Sequence, residues 1–182
     1  MPDTVDGYNC IVHGKIVGEI VATEINSALL FQLYCTNPSD PSIGLTNGVA
    51  PSFPFELDTG DFELALSPMI AERLQLPNLG QANVSGVAGS TDQAYYTRVI
   101  VSSDKASPIP FSWACNAVVI PGMGTSLFGR RAVAMRGLGM ITEGIPPKSP
   151  GDYLSFQGST RIAFYAGVGY QGPTDPSNVT AG

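Results

Sequence analysis

The chain has 182 residues, of which 43% are hydrophobic and only 13% charged, and its formal net charge is −6. This length suffices for one domain with a substantial core, with or without an extension. The nine Lys and Arg residues do not cluster, which argues against a nucleic-acid-binding surface and against a basic membrane-binding patch. We expect neither a signal peptide nor a transmembrane segment in this chain, because no apolar run approaches about 20 residues.

The composition is typical of a mainly β protein. Val, Ile, Thr and aromatic residues recur in short runs, which Gly, Pro, Asn and Ser interrupt; the chain contains 21 Gly and 15 Pro. β-Branched and aromatic residues favour strands, whereas Gly, Pro, Asn and Ser favour turns. Two or three strands are predicted within residues 8–35, and a loop rich in turn residues follows over residues 37–48.

A predicted strand over Phe53–Leu57 runs directly into the triplet Asp58-Thr59-Gly60. The chain then continues extended over residues 62–66. Ser67 predicts the start of a short helix over residues 68–74, because Ser caps helices well and a Pro follows it in the first turn. An acid followed by a small hydroxyl residue and a glycine is also an ordinary turn pattern, so the triplet gains its meaning from its surroundings.

The next predicted element is a hairpin over Asn83–Val101, whose tip contains two glycines and is therefore conformationally free. An apolar strand over Trp113–Ile120 follows. Leu127-Phe128-Gly129 then leads into a second short helix over residues 130–136. These elements continue the pattern of short strands with turns between them.

Turn-forming residues dominate residues 143–152, which predicts a linker before a last hairpin built from residues 153–156 and 162–165. We divide the chain accordingly into three parts. Residues 1–45 are an N-terminal β extension or additional strands, and residues 46–142 are the core. Residues 143–182 are the linker, the C-terminal hairpin and a loose tail.

Four of these features follow one another in a fixed order. An apolar strand ends in Asp58-Thr59-Gly60, a helix led by Ser and Pro comes next, a glycine-tipped hairpin follows, and Leu127-Phe128-Gly129-Arg130 precedes the last helix. Over residues 50–140 this order resembles the retropepsin-like aspartic proteases, the single-lobe enzymes that include the retroviral proteases. Asp-Thr-Gly combined with apolar-apolar-Gly-Arg about 70 residues later is far more specific than either motif alone.

The resemblance implies a fold, a chemistry and an assembly. The fold would be a closed, mainly β barrel of the single-lobe acid-protease type with one or two short helices. The chain would be an aspartic endopeptidase acting on a protein or peptide substrate, with two carboxylates that share one proton and with neither a metal nor a cofactor. Because the chain contains no second Asp-Thr-Gly or Asp-Ser-Gly, Asp58 residues of two chains would meet in a C2 homodimer.

The resemblance also implies roles for individual residues. Asp58 would be the catalytic carboxylate, Thr59 would link the two active-site turns by hydrogen bonds, and Gly60 would let the backbone approach the substrate. The hairpin would be a flap that closes over the substrate, with its tip at Gly86, Val87, Ala88 and Gly89. Structural support of the active site would come from Leu127, Phe128, Gly129 and Arg130.

Two positions after the triplet depart from the family pattern. Asp61 occupies a position where a small residue is usual. Phe62 replaces an acid that pairs, in retroviral members, with the Arg of the second motif. Both residues are candidates for the substrate-binding cleft. The partner of Arg130 is therefore expected to shift to Asp61 or Glu63, and the extra acid at Asp61 either tunes the activity or abolishes it.

Two other classes of function stay open on the sequence. A protease-like fold that no longer cuts would be a peptide-binding or dimerisation module, and Asp61 beside the catalytic turn favours this alternative. A purely structural β-domain would suit the high Gly and Pro content and the low charge. The first alternative predicts inhibitor binding without hydrolysis, and the second predicts that replacing Asp58 changes no activity.

The chain contains three cysteines, Cys10, Cys35 and Cys115. Their spacing matches no metal-binding motif. We predict that they are buried or idle thiols, and a Cys10–Cys35 disulfide is the alternative.

Overall fold

The computed structural model describes residues 4–5, 8–9, 15–58, 62–84, 93–145 and 157–166. In chain order the elements are β1 Thr4–Val5, β2 Tyr8–Asn9, β3 Lys15–Ile25, β4 Ala28–Thr36, β5 Ser52–Asp58, β6 Leu64–Leu66, α1 Pro68–Leu74, β7 Tyr95–Ser102, β8 Ser112–Val119, β9 Ser126–Gly129, α2 Arg130–Ala134, β10 Leu138–Ile145 and β11 Gln157–Ala166. β1 and β2 form a two-stranded sheet, and the other nine strands form one sheet.

Six strands of the large sheet close into a barrel. β4, β5, β9, β6, β8 and β7 pair in that order, and β7 pairs back to β4 over Tyr34–Thr36 and Ile100–Ser102. Two parallel pairs, β5 with β9 and β6 with β8, place strands distant in sequence side by side. The prediction of a mainly β, closed barrel with short helices is confirmed. β4 lies within the segment 1–45, which thus contributes one of the barrel strands.

Three strands extend the sheet beyond the barrel. β3 pairs with β4, β11 pairs with β3, and β10 pairs with β11, all antiparallel. Phe164 of β11 is fully buried, and its ring centroid lies 4.8 Å from that of Trp113 and 6.0 Å from that of Phe128. The extension therefore shares the aromatic core of the barrel.

β10 occupies residues that the sequence did not assign to a strand, and it reaches into the predicted linker over 143–152. Gly139 and Gly144 interrupt the alternation of side chains from which strands are predicted. At Gly139 the Tyr165 ring of β11 lies where a Cβ atom would be, so a side chain there would require the ring to move. Residues 153–156 of the predicted hairpin lie outside the described residues.

The two predicted helices are present at the predicted positions. α1 follows Ser67, whose backbone is extended, but the Ser67 side chain makes no capping hydrogen bond. α1 buries Ile70, Ala71 and Leu74. α2 ends at Ala134, two residues before the predicted end at 136, and it buries Ala132 and Val133. Within the described ranges, no helix has the length and apolar character that crossing a membrane requires.

Candidate active site

Asp58 is the last residue of β5 and is half-buried. Side chains of a strand alternate between its two faces. Phe53 and Phe55 accordingly fill the barrel core, while Glu56 and Asp58 share the opposite face. Thr59, Gly60 and Asp61, the rest of the predicted catalytic turn, lie outside the described residues. The carboxylate is thus carried by the end of a strand whose other face is fixed in the core.

The second motif, Leu127-Phe128-Gly129, forms β9 and lies directly beside β5. The two strands are parallel, with Leu57 opposite Phe128 and Asp58 opposite Gly129. Phe128 is fully buried, and its ring lies against that of Phe31 at a centroid distance of 5.9 Å. The fold therefore brings the two motifs, which are far apart in the sequence, into contact at one end of the barrel.

Gly129 contacts both sides of the turn that follows Asp58. It is opposite Asp58 in the strand pairing, and its backbone N–H donates a 2.9 Å hydrogen bond to the carbonyl oxygen of Glu63. A Cβ atom on residue 129 would overlap the carbonyl oxygen of Phe62. The glycine is therefore required by close backbone approach, since its φ of −81° is open to any residue.

A buried ion pair lies next to this turn. Arg136 Nη1 is 3.3 Å from Glu63 Oε2, and Glu63 Oε1 also accepts a 2.8 Å hydrogen bond from Asn116 Nδ2. The guanidinium of Arg136 lies 5.3 Å from the centre of the Trp113 ring. A buried charge needs partners of this kind, because removing it from water is otherwise costly.

The prediction that Glu63 would be the partner of Arg130 is wrong. Arg130 is exposed at the start of α2, whereas Arg136, just after the end of that helix, turns back to Glu63. The other predicted partner of Arg130, Asp61, lies outside the described residues. The basic residue that joins the end of α2 to the segment after the predicted catalytic turn is therefore six positions beyond Arg130.

The base of the predicted flap hairpin is formed by antiparallel hydrogen bonds. The N–H of Leu79 donates to the carbonyl of Tyr96, the N–H of Tyr96 donates to Gly80, and the N–H of Ala82 donates to Ala94, each at 2.8 Å. The tip residues Gly86, Val87, Ala88 and Gly89 lie outside the described residues. The strand-like pairing thus involves residues 79–82, which precede the predicted start of the hairpin at Asn83, and residues 94–96 within it.

The base of the hairpin packs on a small apolar cluster outside the main core. The buried members of this cluster are Ala65, Ala82, Val84, Ala94, Val118 and Ile120. Phe62, Met123 and Leu127 pack against it and are half-buried. The hairpin base, the residue after the catalytic turn and the second motif therefore meet on one side of the barrel.

A pocket of about 270 Å³ opens beside Glu63. Its walls include Phe62, Tyr96, Arg131 and Met135, and the side chains of Tyr96 and Met135 are largely exposed. Sequence reasoning assigned Phe62 to a cleft but missed Tyr96 and Met135. It also missed Arg136, whose contact with Glu63 has no local sequence signal, and Glu56, which strand alternation places on the face of Asp58.

Two cysteines lie in the barrel wall. Cys35 and Cys115 are both free and fully buried, so the alternative of a Cys10–Cys35 disulfide is wrong. Burial raises the pKa of the Cys115 thiol to about 12, although the nearby Arg136 charge opposes the shift. Burial also raises the pKa of the Cys35 thiol, well above its usual range. Both thiols are therefore neutral and unreactive in the native state near neutral pH.

The structure is a closed β-barrel in which Asp58 ends one strand and lies opposite Gly129 of a parallel strand. The structure is similar to the crystal structure of a retropepsin-like aspartic protease from Rickettsia conorii, with a TM-score of 0.46 and 15% sequence identity. The similarity covers 82% of this chain and 95% of the other. No family model and no curated protein sequence matches the chain.

Proposed function

We propose that the protein is an aspartic endopeptidase of the retropepsin-like kind, active as a homodimer. The observation that carries the proposal is the parallel pairing of Asp58 with Gly129. This pairing joins the Asp-Thr-Gly turn to the Leu-Phe-Gly-Arg motif. Each motif alone is common, but their contact at the end of a barrel strand gives a half-buried carboxylate a fixed position, which general acid–base catalysis requires.

The proposed reaction needs two carboxylates with different protonation states. Two negative charges at close range repel each other, so Asp58 and Asp58 of the partner subunit would share one proton. The ionised carboxylate takes a proton from water, and the resulting hydroxide adds to the carbonyl carbon of the peptide bond. The protonated carboxylic acid donates to the carbonyl oxygen. The tetrahedral intermediate then collapses and the C–N bond breaks. The leaving amine takes up the proton that the first carboxylate removed from water, and a hydroxyl of the intermediate returns a proton to the second carboxylate.

The proposed homodimer is inferred from the number of Asp-Thr-Gly carboxylates in one chain. The chain holds one Asp-Thr-Gly, and a single carboxylate cannot be the base and the acid in the same step. A twofold axis that passes beside Asp58 supplies the second group without a second motif. In this assembly Thr59 links the two turns by hydrogen bonds, and Gly60 leaves room for the substrate.

An extended peptide is the substrate that suits the surroundings of Asp58. The base of the 79–96 hairpin packs near Leu127 and Phe62, so the hairpin tip, Gly86–Gly89, would act as a flap over the cleft. A peptide held between flap and barrel would pair as an additional β-strand, and closure would exclude water. Asp61 and Phe62 would line the same cleft.

The test is cleavage of a mixed peptide library from about pH 3 to 7. Wild type is compared with Asp58→Asn and with Asp104→Asn, an exposed acid in a surface loop, with products identified by mass spectrometry. We expect cleavage that a pepstatin-like inhibitor blocks and that Asp58→Asn abolishes, while Asp104→Asn cuts like wild type. Specific activity should rise with protein concentration in parallel with the dimer fraction measured by sedimentation.

Other outcomes would replace the proposal. A folded, dimeric wild type that binds a statine-type inhibitor but hydrolyses nothing would indicate a peptide-binding module. A wild type that neither binds the inhibitor nor cuts, with Asp58→Asn unchanged in every assay, would indicate a structural β-domain.

A further inference from the structure

Glu56 lies two residues before Asp58 on the same face of β5. Two residues of a strand span about 6.6 Å, so the two carboxylates are neighbours along the strand. We propose, on the basis of the proposed function, that Glu56 determines specificity: it selects a substrate with a lysine or arginine next to the bond that is cut.

The surroundings of Glu56 are apolar. Its strand neighbours are Leu30 on β4 and Leu127 on β9, both half-buried, and Glu56 is itself half-buried between them. Paired residues of neighbouring strands point to the same face of a sheet. The carboxylate therefore projects between two leucine side chains on the side of the barrel that carries Asp58.

Glu56 has no partner for its charge in the part of the chain that the structure describes: its carboxylate takes part in no ion pair and accepts no hydrogen bond there. Two other acids of low exposure differ in this respect, since Glu63 pairs with Arg136 and Glu19 with Arg161. A carboxylate that lies between two leucines and has no partner among the described residues is available to a cation from outside.

A substrate must cover this face to bring its peptide bond to Asp58, and the covering peptide would remove Glu56 from water. An apolar side chain placed there would leave the carboxylate desolvated and unpaired, which is unfavourable. A lysine or arginine side chain would instead lay its methylene groups on Leu30 and Leu127 and bring its charge to Glu56. The net charge of −6 also favours approach of a cationic peptide.

In the proposed homodimer, the preference for a basic side chain would apply on both sides of the cleaved bond. The twofold axis that joins the two Asp58 residues also places one Glu56 on each side of the peptide bond. A basic residue on either side of the bond would therefore find a carboxylate.

The experiment uses a peptide taken from the library screen in three versions, which carry lysine, norleucine or glutamate next to the cleaved bond. The variants are Glu56→Gln, which removes the charge and keeps the shape, and Glu56→Leu. Glu72→Gln, an exposed acid on α1, is the matched control for loss of one charge. We expect wild type and Glu72→Gln to favour lysine over norleucine in kcat/KM by roughly 10- to 100-fold. Glu56→Gln should lose this preference, and Glu56→Leu should favour norleucine.

Full cleavage of the norleucine peptide by Glu56→Gln shows that the variant is folded and active. An unchanged lysine-to-norleucine ratio in Glu56→Gln would overturn the inference and leave the peptidase proposal intact. Binding of the same peptides to Asp58→Asn and to Asp58→Asn with Glu56→Gln is a second readout that does not depend on turnover. The lysine preference should then appear in affinity, weaken with added salt, and vanish in the double variant; equal affinity for lysine and norleucine peptides in Asp58→Asn would refute it.

Discussion

Arg136 forms an ion pair with Glu63, in which Nη1 of Arg136 is 3.3 Å from Oε2 of Glu63. Only 12% of the Arg136 side chain and 7% of the Glu63 side chain are exposed. The pair connects the chain just after α2 to the segment that begins at Phe62. Arg136 also donates to the carbonyl of Ala114 and lies over the ring of Trp113. Asp58 is thus paired with Gly129 in the sheet, and a buried ion pair lies five residues later in the chain, at Glu63.

The first prediction concerns this ion pair. Glu63→Ala should lower the free energy of unfolding by about 3 to 5 kcal/mol, because it leaves the Arg136 charge buried without its partner. Glu143→Ala, which breaks the more exposed pair with Arg161, is the control and should cost less than about 1 kcal/mol. Urea unfolding of the three proteins measures both values. Equal losses of unfolding free energy in the two variants would show that burial does not increase the contribution of the Glu63–Arg136 pair to stability.

The second prediction concerns the glycine behind the catalytic turn. Gly129→Ala should lower the free energy of unfolding by about 3 kcal/mol or more, because its methyl group would overlap the backbone of Phe62. Gly124→Ala should stay within about 0.5 kcal/mol of wild type, since an added Cβ there meets no atom within 4 Å. Thermal unfolding and the peptide assay should both separate the two variants. A stable, fully active Gly129→Ala would contradict the close approach of these backbones.

The third prediction concerns the buried thiols. The pKa of Cys115 is raised to about 12 and that of Cys35 is also raised, both chiefly by burial. In the unfolded chain thiols ionise near pH 8.5, so above that pH the unfolded state releases protons that the native state keeps. The contribution of the two thiols to the free energy of unfolding is therefore complete below about pH 8.5. As the pH rises above this value, the contribution falls by up to about 1.4 kcal/mol per pH unit for each thiol.

The measurement is urea unfolding between about pH 7 and 10.5, with Cys10→Ser as the background. Replacing both Cys35 and Cys115 with alanine should flatten the alkaline decline, whatever its effect on stability at neutral pH. In the folded Cys10→Ser protein, an alkylating reagent at about pH 8.5 should label neither Cys35 nor Cys115 until urea is added. Rapid labelling without urea would contradict the burial of these cysteines.

The fourth prediction concerns the C-terminal strand. Phe164→Ala should lower the free energy of unfolding by about 3 to 5 kcal/mol, because the ring is fully buried against Trp113 and Phe128. Val21→Ala, on the neighbouring strand but 56% exposed, should change it by less than about 0.5 kcal/mol. Both are measured by calorimetry. A loss below about 1 kcal/mol for Phe164→Ala would mean that β11 is dispensable for the barrel.

Local patterns in the sequence identified many of the elements. The strand that ends at Asp58, the helix after Ser67 and the strands over 95–102 and 112–119 were predicted within one or two residues. Each has a clear alternation or a start signal within a few residues. β10 was missed because Gly139 and Gly144 lack the side chains on which the pattern depends.

The mainly β character and the strand that ends at Asp58 could be predicted from the sequence, since both follow from side chains close together in the chain. Three features could not be predicted in this way: β4 closes the barrel against β7, Gly129 has no room for a side chain, and Glu63 pairs with Arg136 rather than Arg130. The physical reason is that pairing of distant strands and the partner of a buried charge depend on which surfaces come together when the apolar core is buried.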